Sequence, residues 1–230
     1  MKVFFFFLSS FLVFAGAATA QTRSGVEFAS EEIRRLQASD AENPGMLWVD
    51  QGAQRFAADC SSCHTSAKGM AAKYPRVEHG KVVTLAQKVR HRKPSMAYES
   101  EEMLALTTYI AYESRGLPMT RALAAKDVAR GKAEYFRRRG QMNLSCSHCH
   151  DASAGKKLGA ETVSQGQPNG YPAYRLEWQT LGSIQRRLRS CLFGVHAEVP
   201  PFGSDLLNDL ELYLAFRAQG LPIESPAVRR

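Results

Sequence analysis

Four of the five cysteines lie in two copies of one short motif. The segments CSSCH at 60–64 and CSHCH at 146–150 both have the pattern C-x-x-C-H. This spacing is the attachment signature of c-type haem, in which two thiols hold the haem and the adjacent histidine binds its iron. Redox C-x-x-C pairs and zinc sites are the alternatives, but nothing in the sequence supplies a zinc-ribbon pairing. The predicted attachment residues of two haems c are Cys60, Cys63, Cys146 and Cys149, and the predicted proximal iron ligands are His64 and His150.

The second haem needs an iron ligand on its other face, and the sequence offers few. No methionine follows Met142, and beyond Tyr171 the candidates are Cys191 and His196. Cys191 is also the unpaired cysteine, and a free thiol is a liability in an oxidising compartment. An inert buried thiol is the alternative for Cys191, whereas ligation of iron as thiolate gives it a chemical role. We predict Cys191 as the distal ligand of the second haem.

The first haem has a comparable stretch ahead of its terminal helix. Residues 87–91 (QKVRH) lie about as far before that helix as residues 185–191 lie before the last one. His91 is therefore predicted to be the counterpart of Cys191, which makes the first haem a bis-histidine centre. The competing distal ligands are Met96 and His79.

A basic run immediately precedes Cys191. It contains Arg186, Arg187 and Arg189. If the run is helical, Arg187 lies four residues before Cys191 on the same helix face. A guanidinium close to a thiol lowers the pKa of the thiol and offers several N–H donors to an oxyanion. A solvated helix face is the usual alternative, to which we assign residues 137–139 (RRR). We predict that Arg187 binds an anionic substrate beside Cys191.

The chain repeats one arrangement of elements. Residues 98–118 align without gaps on residues 202–222, and both segments end in Gly-Leu-Pro. Apolar residues recur at helical spacing in both segments, so each is predicted to be a helix. Ser100 and Ser204, each followed by acidic residues, suit the helix starts, and Gly-Leu-Pro suits the stops. Further helices are predicted before the two haem motifs, at about Leu47–Ala58 and Lys126–Arg139.

Each half therefore reads as helix, C-x-x-C-H, irregular segment and terminal helix, which is the order of a cytochrome c domain. The predicted fold class is all-α, with two tandem cytochrome c-type domains that meet near residues 120–126; a single larger bundle is the alternative. The irregular stretch 156–174 lengthens the second copy and points to function there, because loops carry function on a fixed scaffold. The predicted boundaries are residues 1–20 for a cleaved signal peptide, 21–45 for an N-terminal extension, 46–122 for the first domain and 123–230 for the second, catalytic domain.

The first twenty residues have the pattern of an export signal. Lys2 is followed by an apolar run from Val3 to Phe14, and the segment ends in Ala-Thr-Ala, a small-x-small cleavage site. A retained anchor is the alternative, but the apolar run is shorter than the roughly 20 residues that a membrane span needs. We expect the mature chain to lie in the periplasm without a membrane span.

The formal net charge is +8. A basic balance is typical of nucleic-acid binding, but an exported protein rarely meets nucleic acid, so we expect none. Haem propionates, an anionic substrate or an acidic partner protein would account for the excess of positive charge.

The second half resembles the A subunit of the Sox thiosulfate-oxidising system, the SoxA family. The segments that carry the resemblance are GQMNLSCSHCHD at 140–151, GYPAYRLEWQTLGS at 170–183, QRRLRSC at 185–191 and DLELYL at 209–214. The similarity runs from about Gly131 to the C-terminus and less closely through the first half. The GYPAYRLEWQTLGS segment has no general role in binding haem, so it is more specific to the family than C-x-x-C-H.

The resemblance implies a function and partners. SoxA proteins pair with a small cytochrome, SoxX, as an L-cysteine S-thiosulfotransferase. This enzyme oxidatively joins thiosulfate to a cysteine of the carrier protein SoxYZ, and electrons pass on to a downstream cytochrome c. Cys191 matches the active-site cysteine of the family, which binds the second haem iron and is found as a persulfide. Arg187 matches the arginine beside that cysteine.

One departure from the family concerns the first haem. Di-haem members usually have a cysteine as its distal ligand, within an Asn-x-Cys-Arg stretch. Residues 89–92 read VRHR in its place. Ligation by two histidines would raise the reduction potential relative to a histidine and a thiolate.

Two other functions fit part of the pattern. A di-haem electron-transfer cytochrome without a reaction of its own explains the haems and the basic charge, but not a second half without a methionine ligand or a spare cysteine flanked by arginines. A thiosulfate dehydrogenase, which couples two thiosulfates to tetrathionate, is distinguished by whether turnover needs a carrier protein.

Overall fold

The computed structural model describes residues 21–119 and 123–230. The predicted signal peptide at 1–20 and residues 120–122 of the predicted domain junction lie outside the described residues. The helices are α1 (Glu31–Ala38), α2 (Met46–Asp59), α3 (Leu85–Arg92), α4 (Glu101–Tyr112), α5 (Ala129–Phe136), α6 (Cys146–His150), α7 (Ile184–Gly194) and α8 (Asp205–Arg217), with 3-10 turns at Gly25–Phe28 and Ala71–Lys73. The strands are β1 (Arg76–Glu78), β2 (Lys81–Val83), β3 (Lys157–Leu158), β4 (Glu161–Thr162), β5 (Ala173–Arg175), β6 (Thr180–Gly182) and β7 (Ala227–Arg229).

The chain is rich in helices, but it also contains short strands, so the predicted all-α class is not confirmed. Strand β1 pairs with β2, β3 pairs with β4, and β5 lies between antiparallel β6 and parallel β7. These strands are only two or three residues long, so they lack the longer alternation of apolar and polar residues from which a strand is predicted. Within the described ranges, no helix is both long and apolar enough to span a membrane.

The first and last helices of each half cross at a glycine. Helix α2 crosses α4 where Gly52 lies against the backbone of Ala105, and α5 crosses α8 where Gly131 lies against the backbone of Asp209. A Cβ on either glycine would overlap a carbonyl oxygen of the partner helix. The gapless alignment of the two terminal segments pairs Ala105 with Asp209. The crossing is therefore present in both halves, at equivalent positions.

An aromatic pair continues each crossing one turn after the glycine. Phe56 contacts Tyr109 with ring centroids 5.6 Å apart, and Tyr135 contacts Tyr213 at 5.3 Å. Such pairs contribute about 0.5–1.5 kcal/mol beyond the area that they bury. The first core cluster consists of Phe56, Ala67, Leu106 and Ile110. The second core cluster includes Val82, Tyr135, Leu188, Leu192, Leu207, Leu210, Leu212, Tyr213 and Leu214.

The starts and stops predicted for the terminal helices are confirmed. The hydroxyl groups of Ser100 and Ser204 each accept a hydrogen bond from the backbone N–H three residues later, as N-caps do. Gly116 and Gly220 follow the helices with positive φ, a conformation that glycine adopts without steric cost.

The two Gly-Leu-Pro segments pair with each other in the middle of the molecule. Main-chain hydrogen bonds of 2.7–3.2 Å run from the N–H of Gly116 to Ile223, of Met119 to Leu221, of Gly220 to Met119 and of Ile223 to Leu117. The equivalent rings of Tyr98 and Phe202 also stack, with centroids 6.2 Å apart. Equivalent residues therefore meet, and the two halves are related by an approximate two-fold axis at this junction.

The predicted N-terminal extension packs against the second half. The Asn43 side chain donates a hydrogen bond to the carbonyl of Pro226 at 2.9 Å. The Ser24 hydroxyl donates to Glu224 at 2.7 Å and accepts from the Asn169 amide at 3.0 Å. Helix α1 also contacts β7. This segment therefore supports the sheet that leads into α7.

The remaining predicted boundaries are partly correct. The helix predicted at 47–58 is α2, which is one residue longer at each end. The helix predicted at 126–139 is the shorter α5, because Arg139 turns away to pair with Leu144 across a tight loop. The stretch predicted to be irregular at 156–174 contains β3 and β4 and ends within β5.

Candidate functional site

The second C-x-x-C-H motif forms the short helix α6, and its last residue is held in a defined orientation. His150 Nδ1 lies 2.8 Å from the carbonyl oxygen of Ser164. Because a carbonyl only accepts, Nδ1 carries the hydrogen and Nε2 keeps its lone pair. Gly166 lies against the imidazole ring, where a Cβ would contact it. The imidazole therefore has the tautomer and the orientation that ligation of a metal requires.

Helix α7 brings Cys191 to this histidine. The Ser183 hydroxyl caps the helix start, and Leu188 and Leu192 anchor the helix in the second core cluster. Cys191 lies between them in sequence, and its thiol interacts with the imidazole of His150. A free imidazole nitrogen and a thiol therefore face each other beside Cys146, which is the donor set that a c-type haem with a thiolate ligand needs.

The surroundings of Cys191 favour the thiolate. Burial would raise the pKa of the Cys191 thiol, but its hydrogen bond with His150 and the positive charges of Arg187 and Arg175 outweigh burial, so the pKa is lowered. At Cys146, burial and the neighbouring Cys191 raise the pKa to about 11. The pKa values of these two neighbouring thiols are therefore shifted in opposite directions, and Cys191 is the one that ionises more readily.

The three arginines of α7 have different partners. Burial would lower the pKa of Arg187, but the negative charge of Cys191 outweighs it, so the Arg187 pKa is raised. The Arg186 guanidinium stacks on Trp178 at 4.2 Å, and Arg189 stacks on Phe202 at 4.3 Å. Of this run, only Arg187 is among the groups whose positive charge lowers the pKa of Cys191.

A second arginine near the thiol was missed by the sequence reading. Arg175 on β5 is only 4% exposed, forms ion pairs with Glu161 at 3.2 Å and Glu177 at 3.3 Å, and contributes to the lowered pKa of Cys191. The signal that could have identified it was its position within the family-specific segment at 170–183. A buried, paired arginine there indicates a role in shaping the site.

The other candidate ligands of the second haem lie on a pair of surface loops. The backbone N–H of Met142 donates to the carbonyl of Val195 at 3.4 Å, and the backbone N–H of Gln141 donates to the carbonyl of His196 at 3.3 Å. Both Met142 and His196 are exposed. In the part of the chain that the structure describes, neither side chain shares a contact with His150.

In the arginine run at 137–139, assigned to a solvated face, Arg137 and Arg138 are exposed and the contacts of the run are local. Arg137 and Arg139 both pair with Glu134, and Arg138 donates to the carbonyl of Asn143 at 2.8 Å. None of the three is among the groups that set the pKa of Cys191.

The first C-x-x-C-H motif follows directly on α2, with Cys60 as the C-cap. The N–H groups of Cys63 and His64 donate to the Cys60 carbonyl and fold the motif into a turn. Cys60 packs against the first core cluster, and burial followed by the charge of Asp59 raises its pKa. Both Cys63 and His64 are exposed, and no side-chain hydrogen bond to a described residue fixes His64, in contrast to His150.

The helix caps show which residue of the first half corresponds to Cys191. Thr84 is the N-cap of α3, as Ser183 is the N-cap of α7, and each side chain accepts a hydrogen bond from the backbone three residues later. Cys191 is the eighth residue after its cap. The eighth residue after Thr84 is Arg92.

Two arginine–aromatic contacts support this register. Arg90 stacks on Tyr98 at 4.5 Å, just as Arg189 stacks on Phe202 at 4.3 Å, and each arginine is the sixth residue after its cap. Tyr98 and Phe202 are equivalent in the repeat. The contacts therefore align α3 and α7 without a gap.

The predicted equivalence of His91 and Cys191 is therefore off by one residue. His91 corresponds to Ser190, and its side chain is exposed. The prediction measured the distance back from the terminal helices, but Ser204 lies 21 residues after Ser183, whereas Ser100 lies only 16 residues after Thr84. Ligation of iron by His91 stays a prediction, without the equivalence on which it was based.

The third candidate, His79, lies in the exposed turn of the β1–β2 hairpin with φ of 49°. The strand residues Val77 and Val82 pack against the second core cluster, not the first. The hairpin that carries His79 therefore belongs to the contact between the two halves.

Comparisons with known proteins agree with this geometry. The family model described as SoxA/TsdA, cytochrome c domain, matches residues 46–119. Proteins named L-cysteine S-thiosulfotransferase subunit SoxA from Pseudaminobacter salicylatoxidans and Paracoccus pantotrophus are each 35% identical to this chain over 90% of its length, and the alignments cover 80% and 78% of those proteins. The crystal structure of SoxXA from P. pantotrophus matches with a TM-score of 0.85 at 32% identity, covering 90% of this chain and 86% of that chain. This chain therefore belongs to the SoxA family.

Proposed function

We propose that this chain is the catalytic subunit of an L-cysteine S-thiosulfotransferase, which oxidatively conjugates thiosulfate to a cysteine of a SoxYZ-type carrier protein. The observation that carries the proposal is the proximity of Cys191, His150 and Arg187, in which the thiol is hydrogen-bonded with the imidazole and its pKa is lowered by the charge of the guanidinium. The names of the related SoxA proteins support the same activity.

We infer that residues 46–122 and 123–230 are two cytochrome c domains, each with one haem c. Supporting this are the two C-x-x-C-H motifs and the crossing of helices at equivalent glycines. Cys60 and Cys63 would attach the first haem and Cys146 and Cys149 the second, with His64 and His150 as proximal iron ligands and Cys191 as the distal ligand of the second iron. When bound, the haems supply one-electron acceptors for an oxidative reaction.

The proposed reaction forms one S–S bond. A carrier thiol and the thiosulfate dianion become a protein S-thiosulfonate, and one proton and two electrons are released. Arg187 binds the thiosulfate dianion through charge-assisted hydrogen bonds. Cys191 holds the sulfane sulfur in a sulfur bridge until the carrier thiol accepts it, since accessible thiols of low pKa accept such sulfur caps.

The proposed partners follow from this reaction and from the comparisons. A SoxX-type small cytochrome c would form a heterodimer with this chain, as the SoxXA structure suggests. SoxYZ would deliver its thiol to Cys191, and a downstream cytochrome c would take the electrons. The export pattern of residues 1–20 supports the periplasm as the location of these encounters. The formal net charge of +8, which falls to +7 when Lys2 is removed with the signal peptide, favours anionic substrates and acidic partners.

The test compares Cys191→Ser with the neighbouring Ser190→Ala as a matched control. Both variants are expected to retain the covalent haems, because neither changes a C-x-x-C-H motif. Cys191→Ser is expected to abolish conjugation of thiosulfate to the carrier, whereas Ser190→Ala retains it. Mass spectrometry of the carrier after incubation with thiosulfate and an electron acceptor measures the product.

Conjugation by Cys191→Ser at the wild-type rate would overturn the proposal. The wild-type Cys191 peptide is also expected to carry roughly 32 Da of added sulfur, whereas a freely alkylating thiol would favour a simple electron-transfer cytochrome. Formation of tetrathionate without any carrier would instead identify a thiosulfate dehydrogenase.

A further inference from the structure

The first half lacks an iron-binding side chain at the position that Cys191 occupies in the second. Arg92 stands there, and a guanidinium that is always protonated has no lone pair to offer iron. The residue before Arg92 is His91, which lies about 200° around α3 from Val89. Val89 packs against the first core cluster, which Cys60 also contacts, whereas His91 is not among the residues that pack on that cluster.

The residue on the other side of Arg92 is already engaged. The Lys93 ammonium lies 2.7 Å from the carboxylate of Asp59, the residue directly before Cys60. This ion pair fixes the end of α3 beside the attachment site. The ion pair also engages Lys93, the residue that follows α3, so its ammonium group is not available to bind iron.

Met96 approaches the same place from the connection between α3 and α4. Its side chain is partly buried and packs against the first core cluster, together with Cys60 and Tyr109. Its N–H donates to the carbonyl of Lys93 at 3.0 Å, so the turn that presents it is tied to the end of α3. A thioether in apolar surroundings is the partner of histidine in electron-carrying cytochromes c.

We propose that Met96 is the distal iron ligand of the haem attached at Cys60 and Cys63, opposite His64. This inference rests on the proposed function only in requiring a haem at the first motif. The chain then contains a histidine–methionine site in its first half and a histidine–thiolate site in its second.

The two sites consequently differ in the ease with which they accept electrons. A methionine ligand raises the reduction potential of a c-type haem, whereas an anionic thiolate stabilises the oxidised iron and lowers it. The first haem would therefore have the higher reduction potential of the two.

The test uses the full haem-loaded chain with its partner cytochrome, and haem content per chain is measured first. Near-infrared magnetic circular dichroism of the oxidised protein then separates histidine–methionine, histidine–histidine and histidine–thiolate haems by the energy of a charge-transfer band. When the spectrum of a variant is subtracted from that of the wild type, the signals of all haems that the substitution leaves unchanged cancel. The variants are Met96→Leu, Met96→His, Met70→Leu and His91→Ala.

We expect Met96→Leu to lose one histidine–methionine band and Met96→His to replace it by a histidine–histidine band with a lower potential at the first haem. Met70→Leu is the matched control, because Met70 packs on the same cluster. Both Met70→Leu and His91→Ala are expected to leave the bands unchanged.

Several results would overturn the assignment. A Met96→Leu spectrum with the full histidine–methionine intensity of the wild type, or a loss of that intensity in Met70→Leu, would show that Met96 is not the ligand. Loss of a histidine–histidine band in His91→Ala would restore the bis-histidine centre. A single haem per chain would refute both this inference and the two-haem proposal, whereas two haems with an unaltered spectrum in Met96→Leu would refute this inference alone.

Discussion

At the scale of single residues, the cysteines of this chain differ in which protonation state their surroundings favour. Burial raises the pKa of Cys60 and raises that of Cys146 to about 11. Cys191 is partly buried, but His150, Arg187 and Arg175 outweigh the effect of burial on its pKa. A thiol destined for a thioether bond to haem has no need to ionise afterwards, whereas a thiol that binds iron or sulfur does.

Arg187 gives the sharpest prediction at this scale. Arg187→Lys keeps the positive charge but loses the planar set of N–H donors that can bind an oxyanion at two points. We expect kcat/KM for thiosulfate to fall about tenfold to a hundredfold, equivalent to the 1.5–3 kcal/mol of a hydrogen bond to a charged group. Arg186→Lys is the control, because Arg186 stacks on Trp178 and not at Cys191. Equal losses in the two variants would contradict a specific role for Arg187.

At the scale of elements, the glycine crossings define both halves. Gly131→Ala would force a Cβ into the Asp209 carbonyl oxygen, so α5 and α8 would have to separate. We expect a loss of about 2–3 kcal/mol in the free energy of unfolding, measured by denaturation of the haem-loaded protein.

The control for that measurement is Gly194→Ala at the end of α7, where an added Cβ would meet no atom within 4 Å. This variant is expected to be neutral or to gain up to about 1 kcal/mol, because alanine favours the helix. If Gly131→Ala proved as stable as Gly194→Ala, the close approach of α5 and α8 would not contribute to the free energy of unfolding.

Features that depend on neighbouring residues were predictable from the sequence. The serine caps, the glycine stops and the helix periods act within one or two turns of the chain, and the structure has them where they were predicted. The C-x-x-C-H motifs are equally local.

Features that depend on distant residues were not predictable. The strands are too short to show alternation, and β5 pairs with β7 from the far end of the chain. The register between α3 and α7 was misjudged because a connection of different length follows each helix. Arg175 could not be related to Cys191, because a hairpin and a helix cap separate them along the chain.

At the scale of the whole molecule, the two halves meet around two buried acidic groups. The Gln185 amide donates to Glu211 at 3.0 Å, and the N–H of Ser183 donates to Glu99 at 3.3 Å. Burial raises the pKa of both carboxyl groups. The pKa of Glu211 rises to about 7, because the negative charge of Glu99 adds to the effect of burial. The interface therefore favours the protonated acids.

This interface predicts how stability depends on pH. From the ordinary glutamate pKa of 4.5 to the raised value of about 7, the folded state keeps a proton that the unfolded state releases. The free energy of unfolding therefore decreases as the pH rises through this interval. Because Glu211→Gln cannot ionise, we expect the wild type to lose about 2–3 kcal/mol more than this variant between pH 5 and pH 8.

Guanidinium denaturation of the haem-loaded proteins at both pH values measures the difference, with the exposed Glu198→Gln as the control. A Glu211→Gln variant with the same pH dependence as the wild type would show that Glu211 ionises in the folded protein as readily as in the unfolded chain.

The pairing of the two Gly-Leu-Pro segments has a consequence for electron transfer. Peptide groups, not side chains, join the halves there, so most substitutions leave those hydrogen bonds in place. The separation of the two proposed metal centres is therefore a property of the main chain. Tunnelling distance can stay constant within this architecture while the ligands, and with them the driving force, change from one protein to another.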